Sequence, residues 1–429
     1  MPTPTRPEDP RRPSLEDFER RASQSKRRAS RGEELAELAV PPPVRGHRSP
    51  SADRRSLEAR QKERSASGTR SHRHRRRSTR SFLATELYTV SWLVFFSLLG
   101  TLARLGVEAI TLYPNSPFPS RVLWANLGGS FTMGFLLEDR RLFREEWGHP
   151  DPKETASQHG KVKKTIPLYV GLTTGFCGSF TSFSSFIRDA FLALSNTLPS
   201  PSPTTPYQNS SEPIASRNGG FSFLALVAIL IVHPAVSLAA LQTGAQLAFL
   251  LQPVTPVLPF RFMRRCLDPL VVFVGFGAWL GAVFLAIFPP GNPIHWRFRA
   301  VLPLVFAPPG CLLRFYASKY MNALLPAFPL GTFSVNIFGT AVLGMAWDLQ
   351  HARGIGATSL NACAVLEGIM EGFCGCLTTV STWVAELQGL RRRHGWMYGL
   401  TSVAVALGLM VIIMGSMAWV VGFEQPACS

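Results

Sequence analysis

Two asparagines, Asn126 and Asn336, lie inside long apolar stretches of a 429-residue chain. A buried amide is costly at membrane depth, so its default reading there is functional. A carboxamide N–H₂ aimed into a helix bundle is a neutral donor for an anion; it can equally serve an interhelical hydrogen bond. Two further stretches combine paired glycines with hydroxyls: Gly175-Phe176-Cys177-Gly178-Ser179-Phe180-Thr181-Ser182-Phe183-Ser184-Ser185-Phe186, and Gly372-Phe373-Cys374-Gly375-Cys376-Leu377-Thr378-Thr379-Val380-Ser381-Thr382-Trp383. Glycine costs a helix about 1 kcal/mol relative to Ala, which favours a local break. A break at membrane depth offers N–H groups to an anion and carbonyls to a cation. Phe183 and Phe186 are three residues apart on one helix face, and their ring edges carry partial positive charge. Arg104 and Arg314 each stand one turn after a glycine and can draw anions or cap a helix end. His233/Ser237 and Tyr398/Ser402 share a four-residue spacing and could extend a polar track. His233 precedes Pro234, so it can also mark a kink.

The elements that position these residues are written twice. Gly100…Arg104 returns as Gly310…Arg314, and Asn126…Gly129…Gly134 as Asn336…Gly339…Gly344, at an offset of 210; the glycine–hydroxyl stretch returns at an offset of 197. Apolar runs of roughly 20 residues, enough to cross a bilayer, predict nine helices: 84–112, 120–138, 166–194, 221–250, 269–289, 300–322, 328–348, 361–389 and 396–422. Lys and Arg concentrate in 140–164, 261–265 and 391–393 and in the N-terminal tail. The positive-inside rule then places all four on the cytoplasmic side and the C-terminus outside. Helix 1 runs outward and helix 6, its partner, inward. The fold class is therefore an all-α integral membrane protein of two inverted four-helix repeats, 82–252 and 300–429. A linker, 253–299, carries the odd helix that turns the second copy over. Inverted repeats put functional sites near the midplane at the repeat interface.

Residues 1–81 are different. Residues 1–80 hold 22 of the 44 Lys and Arg residues and almost no aromatics, so this segment is expected to be a disordered, basic cytoplasmic tail. It supplies much of the net charge of +17, which fits contact with anionic membrane lipid rather than nucleic acid. Its serines beside arginine, such as Ser30 and Ser56, are candidate phosphorylation sites. Asn209-Ser210-Ser211 is a glycosylation acceptor sequence on the expected outer side. The seven cysteines form no framework: Cys177, Cys311, Cys374 and Cys376 fall within apolar spans and read as small packing residues.

Together these motifs resemble the fluoride channel family, the bacterial CrcB/Fluc proteins and the single-chain eukaryotic fluoride export proteins, over about 82–422. The resemblance implies a passive fluoride-selective channel at the plasma membrane, not an enzyme. It implies a fused pseudo-dimer that works as a monomer, without an organic cofactor. Asn126 and Asn336 match the pore amides, Phe183 and Phe186 the pore phenylalanines, and Thr181, Ser184, Thr378 and Ser381 the hydroxyl region. Backbone carbonyls of Gly178, Thr181, Gly375 and Thr378 match the ligands of a structural sodium. Val380 and Trp383 replace the second pair of phenylalanines. One working pore and one degraded pore are therefore expected. Two other readings are a proton-coupled antiporter, using Glu367 and Glu371 one turn apart in helix 8, and a scaffold acting through the tail.

Overall fold

The structure is a computed structural model that describes residues 68–111, 113, 118–144, 162–198, 217–288 and 297–428. All regular structure among these residues is helical. The elements are α1 (Gly68–Ile110), α2 (Val122–Glu138), α3 (167–180), α4 (Phe183–Leu194), α5 (Gly219–Leu250), α6 (Phe260–Ile287), α7 (297–321), α8 (Leu330–His351), α9 (360–377), α10 (Ser381–Gly389) and α11 (Arg392–Val420). The helix starts follow local chemistry. Asn218, Ser182 and Ser359 cap α5, α4 and α9 by accepting the N–H three residues on, and Pro167 opens α3.

Among the described residues, seven helical stretches are long and apolar enough to cross a membrane: Leu83–Ile110, Gly219–Leu250, Phe260–Ile287, Arg299–Met321, Leu330–His351, Leu360–Gly389 and Arg392–Val420. The two other expected spans differ for physical reasons. α2 has only 17 residues, and the 166–194 stretch is broken between α3 and α4. The linker helix begins at Phe260 rather than 269, so Arg261, Arg264 and Arg265 sit on its first turns instead of in a loop. The expectation of a structureless tail is corrected for 68–81. That segment continues α1 as helix, because extending an existing helix avoids the nucleation cost. Residues 1–67, including Ser30 and Ser56, and the Asn209 sequon lie outside the described residues.

The expectation that the cysteines form no disulfide framework is corrected at one pair. Cys363 and Cys428 form a disulfide with Cα atoms 5.8 Å apart. Spacing in sequence hid it, because 65 residues separate the two. The last residues fold back over the start of α9, where Glu424 N–H donates to His351 O and Ala427 N–H to Gly356 O. Cys177, Cys311, Cys374 and Cys376 are free and buried, as their packing role requires.

Both copies carry a π-helical stretch in the same register, Gly171–Cys177 and Ile369–Cys374, each running into one last α-turn before the break. Such wide turns concentrate at functional sites. Beyond the break each half-helix packs on both copies, α4 on its own α5 and α10 on its own α11 as well as on the other repeat. α4 packs against α8 and α11 of the second copy, and α10 against α2 and α5 of the first.

Candidate functional site

The two breaks meet at the centre. Thr181 (φ −99°, ψ 148°) and Thr378 (φ −94°, ψ 152°) are extended, far from helical dihedrals. Each break frees backbone groups that must find partners away from water, and the asparagines supply them. Asn126 Oδ1 accepts the Ser182 N–H at 2.9 Å, and its Nδ2 donates to Ser182 O at 3.4 Å. Asn336 does the same for Thr379, at 2.9 and 3.3 Å. Both amides are fully buried. Each Nδ2 keeps a second N–H beyond the one that holds the break.

The threonine hydroxyls cross between the copies. Thr181 Oγ1 accepts the N–H groups of Val380 and Ser381, both at 3.2 Å, so it caps α10. Thr378 Oγ1 accepts the Ser184 N–H at 3.1 Å, so it caps α4. Thr181 also meets the Thr379 and Ser381 hydroxyls at 3.1 Å, and Thr378 meets the Ser184 hydroxyl at 3.0 Å. The methyls of Thr181 and Thr378 lie against Gly129 and Gly339, where a Cβ would collide with them. The glycines following the asparagines are thus explained by close approach.

The arginines are reciprocal too, and both are buried. Arg104 donates to Ser179 O (3.3 Å) and to Glu371 O; Arg314 donates to the matching Cys376 O (2.7 Å) and Thr174 O (2.8 Å). Arg314 lies on Gly178 and Arg104 on Gly375, where any side chain would displace the guanidinium. Each guanidinium thus takes a carbonyl of the last helical turn before its own break, in keeping with the helix-end role open in sequence, and a further carbonyl of the other copy.

Four carbonyls fit a hard cation. In a continuous helix the Gly178 and Gly375 carbonyls would accept from Ser182 and Thr379, whose N–H groups go to the asparagines instead. The Thr181 and Thr378 carbonyls would accept from Ser185 and Thr382, whose N–H groups turn to the Ser182 and Thr379 hydroxyls. The backbone at both breaks therefore directs its helical donors elsewhere, which suits carbonyl ligation.

The predicted phenylalanines are buried, but they face different partners. Phe183 meets Trp383 edge-on at 5.3 Å, and Phe186 stacks on His233 at 4.8 Å. The polar tracks are unequal. In the second copy Ser402 Oγ donates to Tyr398 O, and Tyr398 O–H donates to Glu386 Oε2 at 2.6 Å. Glu386 also accepts from Thr332 (2.6 Å) and Asn322 (3.2 Å). In the first copy His233 takes the place of Tyr398 and reaches Asp189 only through the Ser120 hydroxyl. Val122 replaces Thr332. Ser130 Oγ, Ser237 Oγ and His233 Nδ1 are buried without a hydrogen-bond partner among the described residues.

Sequence reasoning missed Glu386 and Asp189, although the offset of 197 pairs them. They sit eight residues past Thr181 and Thr378, outside the motif that drew attention. In sequence Glu371 supports, with Glu367, only the alternative reading of a proton-coupled antiporter. Its carboxylate instead joins Arg104 at 2.6 Å and Arg188 at 3.1 Å, while Glu367 accepts from Gln350 at 2.9 Å.

The family described as CrcB-like protein, Camphor Resistance (CrcB), matches residues 91–200 and 301–420, one match per repeat. The chain is 53% identical over 378 residues to the Fluoride export protein 1 of Neurospora crassa, covering 81% of this chain and 70% of that one. It is 32% identical over 339 residues to the Fluoride export protein 1 of Candida albicans, covering 76% and 78%. The Fluoride-specific ion channel FluC of Pseudomonas paraeruginosa is 36% identical over 118 residues, which are 26% of this chain but 88% of FluC. No solved structure matches. A double family match, two breaks held by equivalent asparagines, and relatives that span most of the chain lead to one assignment: the chain belongs to the CrcB family.

Proposed function

We propose that this chain is a passive, fluoride-selective channel that exports cytoplasmic fluoride across the plasma membrane and confers fluoride resistance. The observation that carries the reading is the pair of helix breaks, each held by an asparagine that keeps an N–H to spare. The names of its relatives point to the same ion. Fluoride enters acidified cells as HF and is trapped as the anion at cytoplasmic pH. An inside-negative potential favours anion exit by about 2.3 kcal/mol per 100 mV, so no coupled energy source is needed.

Nine spans in two inverted repeats carry the channel, with α2 and the broken 167–194 stretch completing the count. The reciprocal contacts of Arg104 with Glu371 and Arg314 with Thr174 support a two-fold relation between the copies. The N-terminus is cytoplasmic and the C-terminus extracellular. The Cys363–Cys428 disulfide supports that orientation, because such bonds persist in oxidising surroundings. The fused chain acts as a monomer in membrane lipid, and the basic tail contacts anionic headgroups. Carbonyls of Gly178, Thr181, Gly375 and Thr378 hold a structural sodium. When bound, that ion would tie the two breaks together electrostatically.

One pore conducts. It combines Asn336, Thr340, Ser402, Tyr398 and Glu386 with Phe183 and Phe186, because the half-helix bearing the phenylalanines packs onto α8 and α11. Thr181, Ser184, Thr378 and Ser381 supply the hydroxyls at its centre. The other column pairs Asn126 and Ser237 with Val380 and Trp383 and is interrupted by Val122 and His233. The test is fluoride efflux from liposomes at clamped voltage. Flux without a proton gradient is expected; strict dependence on one would refute the channel and favour an antiporter. Thr340→Val and Ser402→Ala should each slow efflux about tenfold, equal to ~1.4 kcal/mol of barrier. Ser130→Ala and Ser237→Ala should stay within about twofold on the same scale. Equal losses in both sets would refute the single-pore assignment.

A further inference from the structure

His233 is held on its edge and used on its face. Ser120 Oγ donates to Asp189 Oδ2 at 2.6 Å, and Arg188 donates to the other carboxylate oxygen, Oδ1, at 3.3 Å. A hydroxyl has a single proton. With that proton on Asp189, Ser120 Oγ accepts the Nε2–H of His233 at 2.9 Å. The relay therefore sets the tautomer, Nε2 carrying the hydrogen and Nδ1 the lone pair. His233, Ser120 and Asp189 are all buried.

Both copies back this position with an aromatic ring at the offset of 210. Phe118 lies 5.9 Å from His233, and Phe328 lies 5.1 Å from Tyr398. From there the copies part. Tyr398 turns its O–H to Glu386. His233 instead lays its ring on Phe186, with centres 4.8 Å apart and planes within 28°. Phe186 in turn meets Phe183 at 5.7 Å and 81°, edge against face. One hydrogen bond at the imidazole edge and Phe118 beside it fix the plane of His233. That plane then fixes the plane of Phe186.

We propose that His233 is a positioning residue of the conducting pore: held by Ser120 and Asp189, it fixes Phe186 so that the ring presents its edge to fluoride. The inference rests on the reading of Phe186 as a pore ring. The face of a phenyl ring is negative and its edge positive, so a freely turning ring would repel an anion in part of its orientations. Stacking covers one face and leaves the edge. The first copy's altered lining thereby gains a use. The residue that interrupts its own column supports a ring of the other, and Asp189 is kept because it anchors that support.

The experiment is fluoride efflux at clamped voltage from liposomes holding the full chain, scaled to folded protein. His233→Leu should slow efflux about tenfold and Ser120→Ala about fivefold. Ser120→Thr returns the hydroxyl and should stay within about twofold of the unmodified chain. Asp189→Asn keeps an oxygen for that hydroxyl and should likewise cost less than about twofold. A double-mutant cycle separates positioning from support of the fold. In a Phe186→Ile background, about tenfold slower on its own, His233→Leu should cost less than a further twofold. In a Thr340→Val background it should keep its full cost. A His233→Leu variant with unchanged efflux, or with the same cost after Phe186→Ile, overturns the proposal. Equal losses in Ser120→Ala and Ser120→Thr overturn it too, and that comparison stands even where Phe186→Ile leaves no measurable flux. Unchanged efflux in Phe186→Ile would refute the pore assignment of that ring, and absence of any fluoride efflux the channel reading itself.

Discussion

The two repeats keep one skeleton and line it differently. Both bridge their break with an asparagine, cap the other copy's half-helix with a threonine, and clamp backbone carbonyls with an arginine laid on a glycine. None of these contacts tolerates drift, because each satisfies backbone at membrane depth. The linings had more freedom. Thr332, Tyr398 and Glu386 bond into one cluster, whereas Val122, His233 and Asp189 stand at their counterparts and need Ser120 as a bridge. Residues that hold the fold stayed paired across the copies, and residues of the proposed lining did not have to.

The sharpest way to break this comparison is to remove the two asparagines one at a time. Both substitutions leave a Ser182 or Thr379 backbone N–H and C=O unpaired, at about 1–3 kcal/mol for each buried group. Asn126→Ala and Asn336→Ala should therefore lower the thermal unfolding temperature in detergent by similar amounts. Their fluoride flux should differ: Asn336→Ala should lose about a hundredfold or more, ~2.7 kcal/mol of barrier, while Asn126→Ala retains flux within about tenfold per folded molecule. Equal flux losses alongside equal destabilisation would mean that both columns conduct, or that the asparagines act only through the fold. Next in size is the carboxylate pair. Glu386→Gln leaves Tyr398, Thr332 and Asn322 facing an amide and should cut flux about tenfold. Asp189→Asn should cost less than about twofold in flux. The reverse order would move the working pore to the first copy.

Much of this asymmetry was visible before any coordinates. The offsets of 210 and 197 exposed both asparagines, both arginines and both breaks, because glycine, amide and hydroxyl are rare together in an apolar span. Val380 and Trp383 already marked the second copy as altered. Other features stayed hidden for stated reasons. Glu386 and Asp189 lie eight residues beyond Thr378 and Thr181 and resemble helix-end charges until burial is known. The ion pairs of Glu371 stayed hidden, since only the fold brings Arg104 and Arg188 to it from 267 and 183 residues away. The disulfide joins positions 65 apart with no motif around either. The 17-residue length of α2 and the break before α4 turned two expected spans into short pieces.

The smallest expected flux effect tests where the copies are tied rather than how they conduct. Cys428 returns to Cys363 at the start of α9, and Phe423 packs on His351 and Trp347 beside Arg188. The first copy has no such strap among the described residues. A closed loop of this size restricts the unfolded chain by about 4 kcal/mol in the chain-entropy model, an upper value for helices already confined to a bilayer. Cys428→Ser should therefore lower the unfolding temperature measurably and leave fluoride efflux within about twofold, since no conducting residue moves. A membrane-impermeant reductant applied to intact cells should reproduce the stability loss, because the proposed orientation puts the strap on the outer side. Reduction only after permeabilisation would place the C-terminus inside, and a large change in efflux without a loss of stability would make the strap part of the pore mouth.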